Sequence, residues 1–129
     1  MFLWYTPRMP TEWSDGILLA QLADEPELAE EFSAIFARLS GAAEGALPHV
    51  VLDLGGVSYL NSSHIAQMLR MRKKLVEGRR QLVLCSMSDE LWAVMSMTGL
   101  DKVFTYAPDT MTALARAQLS DGAGDEASA

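Results

Sequence analysis

Residues His49–Arg70 read HVVLDLGGVSYLNSSHIAQMLR, and the period of the apolar side chains changes halfway along. Val50, Val51 and Leu52, with Leu54 after Asp53, form an almost unbroken apolar run. A short run of this kind, bounded by turn residues, is the pattern of a strand buried on both faces. Gly55-Gly56 ends it, and a second apolar piece, Val57 to Leu60, leads to Asn61-Ser62-Ser63. Beyond that point Ile65, Met68, Leu69, Arg72, Leu75 and Val76 recur at spacings of three and four, predicting a helix from about Ser63 to Glu77, ended by Gly78. A central strand thus hands over to a helix through a loop whose Asn and Ser residues are helix-capping types. A helix N-terminus carries unpaired N–H groups and partial positive charge, so phosphate on Ser62 or Ser63 would be stabilised there. Simple capping accounts for the same residues without a switch.

Working outward, Thr11 to Ser14 and Ile17 to Leu22 flank Asp15-Gly16, a hairpin signal that makes the two segments antiparallel strands. Asp24-Glu25-Pro26 opens a helix whose stripe is Leu28, Phe32, Ile35, Phe36 and Leu39, with Gly41 as its stop. After the central helix, Gln81 to Cys85 is a further inner strand. A short helix follows over about Asp89 to Met97, with Leu91, Trp92, Met95 and Val94 turned inward. Thr98-Gly99-Leu100 breaks it, Val103 to Tyr106 is a last strand, and Pro108-Asp109 starts a final helix with Met111, Leu114, Ala115 and Leu119 inward. Residues 1–10 carry Phe2, Leu3, Trp4 and Tyr5 among prolines and are expected to form an arm or an edge strand. Residues 120–129 lack large apolar side chains and are expected to be a disordered tail. The order, a hairpin followed by alternating helix and strand, predicts one α/β domain over residues 11–119, with a mixed β-sheet and about four helices mainly on one face.

Composition narrows the function. The chain has 129 residues, half of them apolar, and a net charge of −7, which argues against a general nucleic-acid binder. Its single cysteine, Cys85, lies in an apolar run and reads as a buried strand thiol in a reducing, cytoplasmic setting. No run reaches the length of a membrane span. Asp53, Ser62 and His64 do not make a hydrolase triad: Ser62 and His64 are two apart at a helix start, and no Gly-x-Ser-x-Gly elbow exists. His49 and His64 have no cysteine pair nearby, so neither a metal nor a cofactor is expected. Charge is segregated: Arg70, Arg72, Lys73, Lys74, Arg79 and Arg80 lie close together, and Asp24, Glu25, Glu27, Glu30 and Glu31 form an acidic stretch. Both read as solvated helix faces, or as docking surfaces for an oppositely charged partner. Met71 falls off the expected inward stripe and suits an exposed, adaptable contact, whereas Trp92 reads as core.

Several segments together resemble STAS domains, the family of bacterial anti-sigma factor antagonists and of the cytoplasmic domains of sulfate transporters. They are Val51-Leu52-Asp53-Leu54, Val57-Ser58-Tyr59-Leu60, Asn61-Ser62-Ser63 with the helix after it, Leu82-Val83-Leu84-Cys85, Ser88-Asp-Glu-Leu-Trp92, and Met97-Thr98-Gly99-Leu100-Asp101-Lys102-Val103-Phe104. The resemblance covers roughly residues 13–119. It implies a non-enzymatic regulator that binds a serine kinase/anti-sigma factor of the histidine-kinase-like ATPase type, with Ser62 as the residue that kinase phosphorylates, and with a phosphatase and self-association as further possibilities. A phosphoserine brings about −1.5 to −2 charges, which oppose docking on a packed surface. The implied contact surface is Asn61, Ser63, His64, Gln67, Arg70, Met71 and Lys74. Two positions depart from the family's Asp-Ser-Ser/Thr-Gly pattern: Asn61 replaces the acid and His64 the glycine. Asn61 can cap but brings no charge, and His64 adds bulk where a partner's loop would approach. A scaffold that self-assembles without phosphorylation, or a small-ligand sensor, are the alternatives.

Overall fold

The computed structural model describes residues 11–14, 16–42 and 46–123; the expectations for residues 1–10, Asp15 and 124–129 lie outside these. In chain order the elements are β1 (Thr11–Ser14), β2 (Ile17–Ala23), α1 (Glu27–Gly41), β3 (His49–Gly56), α2 (Ser62–Glu77), β4 (Leu82–Cys85), α3 (Asp89–Met97), β5 (Thr105–Ala107) and α4 (Thr110–Ala123). The strands form one sheet in the order β1-β2-β3-β4-β5. β1 pairs antiparallel with β2, and the other pairings are parallel. This is the mixed sheet the sequence predicts, with β3 at its centre.

The inner strands lack alternation because both their faces are covered. Leu18, Ala20, Leu22, Val50, Leu52, Leu54, Leu82 and Leu84 point to one side, where Leu28, Phe32, Ile35 and Leu39 of α1, Met68, Met71 and Leu75 of α2, and Leu91 and Met95 of α3 close the main core. Ile17, Val51, Val83 and Cys85 point to the other side, against Ala113 and Ala117 of α4. Three helices therefore lie on one face and one on the other. Between Gln21 and Ala23 the β2–β3 register shifts, and Gly56 pairs with Ala23. A Cβ on Gly56 would stand 2.8 Å from the Leu22 carbonyl oxygen, so only glycine allows that approach. The break after α3 rests on Gly99, whose φ of 80° places it in the left-handed region.

Three helix faces differ from the sequence expectation, and α1 departs from it at one residue. On α2 the buried positions are His64, Met68, Met71 and Leu75, whereas Leu69 is 37% and Val76 51% exposed. The expected stripe contained Arg72; the observed one excludes the helix's Lys, Arg and Glu residues, whose burial would be costly. Met71 is thus sealed, not exposed. On α3 only Leu91 and Met95, four apart, reach the core. Trp92 sits one position round, 43% exposed, with its ring edge-on to Tyr106 at 4.9 Å between centroids. On α1 Phe36 is only half-buried. On α4 Ala113 and Ala117 pack inward, which lets the helix lie close to the sheet, whereas Ala115, expected inward, is exposed. Met111 and Leu119 are consequently 78% and 68% exposed, and Leu114 is only partly covered. α4 also continues to Ala123, past the expected end of the domain, and β5 begins two residues later than expected, after the buried Phe104.

The inverted roles on α2 are open to test. Met71→Ala is expected to lower stability by about 2–5 kcal/mol, and Leu69→Ala by about 1 kcal/mol or less, in urea denaturation with unchanged m-values. Equal losses would show that the helix is rotated from the phase described.

Candidate functional site

β3 ends in Gly55-Gly56, and the chain crosses the top of the sheet as Val57–Leu60 before α2 begins. Val57 and Leu60 are buried and fasten this crossing to the core, while Ser58 and Tyr59 face solvent, Tyr59 at 66%. Asn61 is the N-cap of α2. Its Oδ1 accepts the His64 backbone N–H at 2.9 Å, and its own N–H donates to His64 Nδ1 at 3.1 Å. These reciprocal bonds form a capping box in which histidine takes the place of the usual Glu or Gln. The Ile65 N–H then donates to the Asn61 carbonyl, starting the helical ladder. Ser62 and Ser63, the first two helical residues, are exposed.

Two carboxylates from the β2–α1 loop hold this crossing. Asp24 Oδ1 accepts the Ser58 N–H at 2.9 Å and Oδ2 accepts the Ser58 hydroxyl at 2.7 Å. The hydroxyl bond, then the backbone bond, holds the Asp24 pKa below the ordinary aspartate range. Glu25 Oε2 accepts from His64 Nε2. His64 is 2% exposed and lies beside Phe32, with ring centroids 6.1 Å apart. It is therefore a buried cap, and the expectation that it lines a contact surface does not hold.

The remaining expected site residues divide by the phase of α2. Ser62, Ser63 and Arg70 are exposed, Asn61, Gln67 and Lys74 half-buried, and Met71 enclosed. The outward line of α2 is instead Ser62, Ala66, Leu69, Lys73 and Val76, at spacings of four and three. Leu69 and Val76 were missed because they were assigned inward. The clue lay in the four-three-four spacing of His64, Met68, Met71 and Leu75, which contains no Lys, Arg, Asp or Glu. The basic cluster is partly structural: Arg80 Nε donates to the Leu47 carbonyl at 2.6 Å, and Lys73 pairs with Glu77 at 2.8 Å. In the acidic stretch Glu31 is buried rather than solvated. It accepts the Ala23 N–H at 3.2 Å where β2 ends, and burial raises its pKa.

The groups considered for catalysis are dispersed. Asp53 Oδ1 accepts the Gly55 N–H at 2.9 Å, and its Oδ2 accepts the Thr110 hydroxyl at 3.1 Å, binding β3 to the start of α4. His64 is engaged by Glu25 and Asn61 instead. His49 opens β3, at the far end from α2's start, and its Nδ1 accepts the Gln81 N–H at 3.0 Å. Cys85 is buried, and burial pushes its thiol pKa up, away from nucleophilic chemistry. Met87, Asp89, Trp92, Tyr106, Ala107 and Pro108 line a cleft of about 290 Å³ past the ends of β4 and β5. No helix among the described residues is long and apolar enough to cross a membrane.

The model of the STAS domain family matches residues 18–113. BtrV of Bordetella bronchiseptica, a candidate anti-sigma factor antagonist, is 29% identical over 93 residues, which span 72% of this chain and 79% of that protein. A candidate anti-sigma factor antagonist from Thermotoga maritima superposes with a TM-score of 0.73 at 14% identity, over 87% of this chain and 96% of its own. An anti-sigma factor antagonist (STAS) domain protein from Planctomyces limnophilus gives a TM-score of 0.72 at 23% identity, over 85% and 97%. At these identities the superpositions speak for the fold alone.

The cap and the Asp24 contact each carry an expected outcome. Asn61→Ala is expected to lose about 1 kcal/mol, read from thermal melts. Because Asp24's folded-state pKa lies below its unfolded value, the Ser58 contact adds stability above the ordinary aspartate range and loses it as pH falls through the folded value. In Ser58→Ala the Asp24 midpoint, followed by carboxyl carbon-13 NMR, is expected to move up toward the ordinary range; an unchanged midpoint would mean that the two groups are not bonded in solution.

Proposed function

Because this chain belongs to the STAS domain family, we propose that it is an anti-sigma factor antagonist whose partner is a serine kinase/anti-sigma factor and whose switch is phosphorylation of Ser62. The observation that carries this reading is the position of Ser62: an exposed hydroxyl on the first residue of a well-capped helix, directly beyond the central strand. A rigid cap presents that hydroxyl in one place, and exposure lets a kinase reach it.

The chemistry of the surroundings supports a switch. With the His64 N–H already taken by Asn61, the N–H groups of Ser62 and Ser63 remain at the helix start to receive a phosphate. Asp24 and Glu25 stand at the same end of α2, so a phosphate adds its charge where two carboxylates already lie. A partner surface that accepts a neutral serine there meets about two further negative charges after phosphorylation, and their hydration opposes close packing.

The contact surface follows the outward line of α2. Tyr59 and Ser62 supply its upper end, and Leu69, Arg70, Lys73 and Val76 continue it. Two isolated apolar side chains set among cations suit a reversible contact with an acidic-rimmed apolar patch. His64 and Met71 act from beneath, by holding the helix.

Incubation with the histidine-kinase-like ATPases of the source organism and ATP is expected to add one phosphate, mapped to Ser62 by mass spectrometry. Ser62→Ala should take up none and Ser63→Ala should still be modified. Leu69→Asp is expected to weaken kinase binding by on the order of tenfold or more while keeping the wild-type melting profile. Failure of every such ATPase either to bind or to phosphorylate the protein would remove this reading.

A further inference from the structure

The histidine at the cap is bonded at both ring nitrogens, and the two bonds fix its chemical form. Nδ1 accepts the Asn61 N–H at 3.1 Å, so it carries no hydrogen. Nε2 faces a carboxylate oxygen of Glu25, an acceptor, so it is the nitrogen that carries one. Only the Nε2–H tautomer satisfies both contacts. The opposite tautomer sets an N–H against the Asn61 N–H and leaves Nε2 lone-pair to lone-pair with the carboxylate. The ring is buried against Phe32, and the Glu25 side chain, 45% exposed, reaches its Nε2 from the solvent side.

We propose that Glu25 is the positioning residue of the Ser62 loop: through Nε2 it selects the imidazole tautomer that can cap Asn61, and so fixes the turn that presents Ser62. The functional importance of that turn rests on the reading of Ser62 as the switch; the tautomer selection does not. Glu25 is 39 residues upstream of His64, in the loop between β2 and α1. Its neighbour Asp24 grips Ser58 at the other end of the crossing. The start of α1 and the start of α2 are thereby tied as one unit. A partner that touches the β2–α1 loop and draws Glu25 away would release the cap of α2 without touching Ser62.

The test is the nitrogen-15 spectrum of the imidazole together with amide exchange at Asn61. Wild type is expected to show a protonated Nε2 and an unprotonated Nδ1 at neutral pH. Glu25→Gln keeps an acceptor oxygen and should retain both the tautomer signature and the slow Asn61 amide. Glu25→Ala should give mixed tautomers and exchange at Asn61 faster by on the order of tenfold, the usual scale of a lost cap. Ser58→Ala, which loosens the other end of the crossing, should leave the imidazole signature unchanged. With the kinase, kcat/KM for Ser62 should fall in Glu25→Ala and recover in Glu25→Gln. A wild-type His64 protonated at Nδ1, or a Glu25→Ala protein with wild-type shifts and exchange, overturns the proposal. Correct shifts and exchange with no phosphate on Ser62 in any protein support the positioning role and overturn the phosphoswitch instead.

Discussion

β3 has no wet face, and the rest of the architecture answers that constraint. A strand carrying Val50, Val51, Leu52 and Leu54 needs cover above and below and a bonded neighbour on each side, because its N–H and C=O groups cannot reach water. β2 and β4 provide the bonding. α1, α2 and α3 cover one side and α4 the other. Both flanking pairs are parallel, so each return of the chain to the sheet requires a crossover, and the crossovers become the helices. The loops after the carboxyl ends of β2, β3 and β4 then gather at one end of the sheet, where the cap, the two carboxylates and the Trp92 cleft are found.

At that end, polar groups do what apolar packing does elsewhere. Asp24, Glu25, Asn61 and His64 make a short set of mutually satisfied bonds between two loops distant in sequence. A buried imidazole fits there because each of its nitrogens has a partner. Glu31 and Asp53 do similar work nearby, one closing the end of β2 and the other joining β3 to α4. These four acids are used internally, so the acidic side of the sequence is less of a solvated surface than its composition implies.

The strands and the central place of β3 were legible in the sequence because an apolar run without alternation admits few readings. β3, β4, the β1–β2 pair and the span of α3 follow from the residues almost unchanged. Helix phase was harder. On α2, Leu69 and Val76 are as hydrophobic as Met68 and Leu75, and the face that wins does so because histidine can be buried with two partners while Arg72 cannot. On α4 the larger residues drew the expectation outward from Ala113 and Ala117, whose small side chains are what permit close contact with the sheet. Of the site, the location of Ser62 and the capping role of Asn61 were legible, since both depend on local spacing. The role of His64 was not, because its partner Glu25 is supplied by the fold.

The burial of Cys85 has a practical consequence. The chain's lone sulfhydryl lies in β4, one strand from the centre, beneath α4 and within 3.8 Å of the Thr110 hydroxyl. A maleimide or disulfide reagent can reach it only when that helix lifts from the sheet, which also relieves the burial that raises its pKa. The speed of its alkylation is therefore a native-state clock for the opening of the α4 layer, with no engineered probe required.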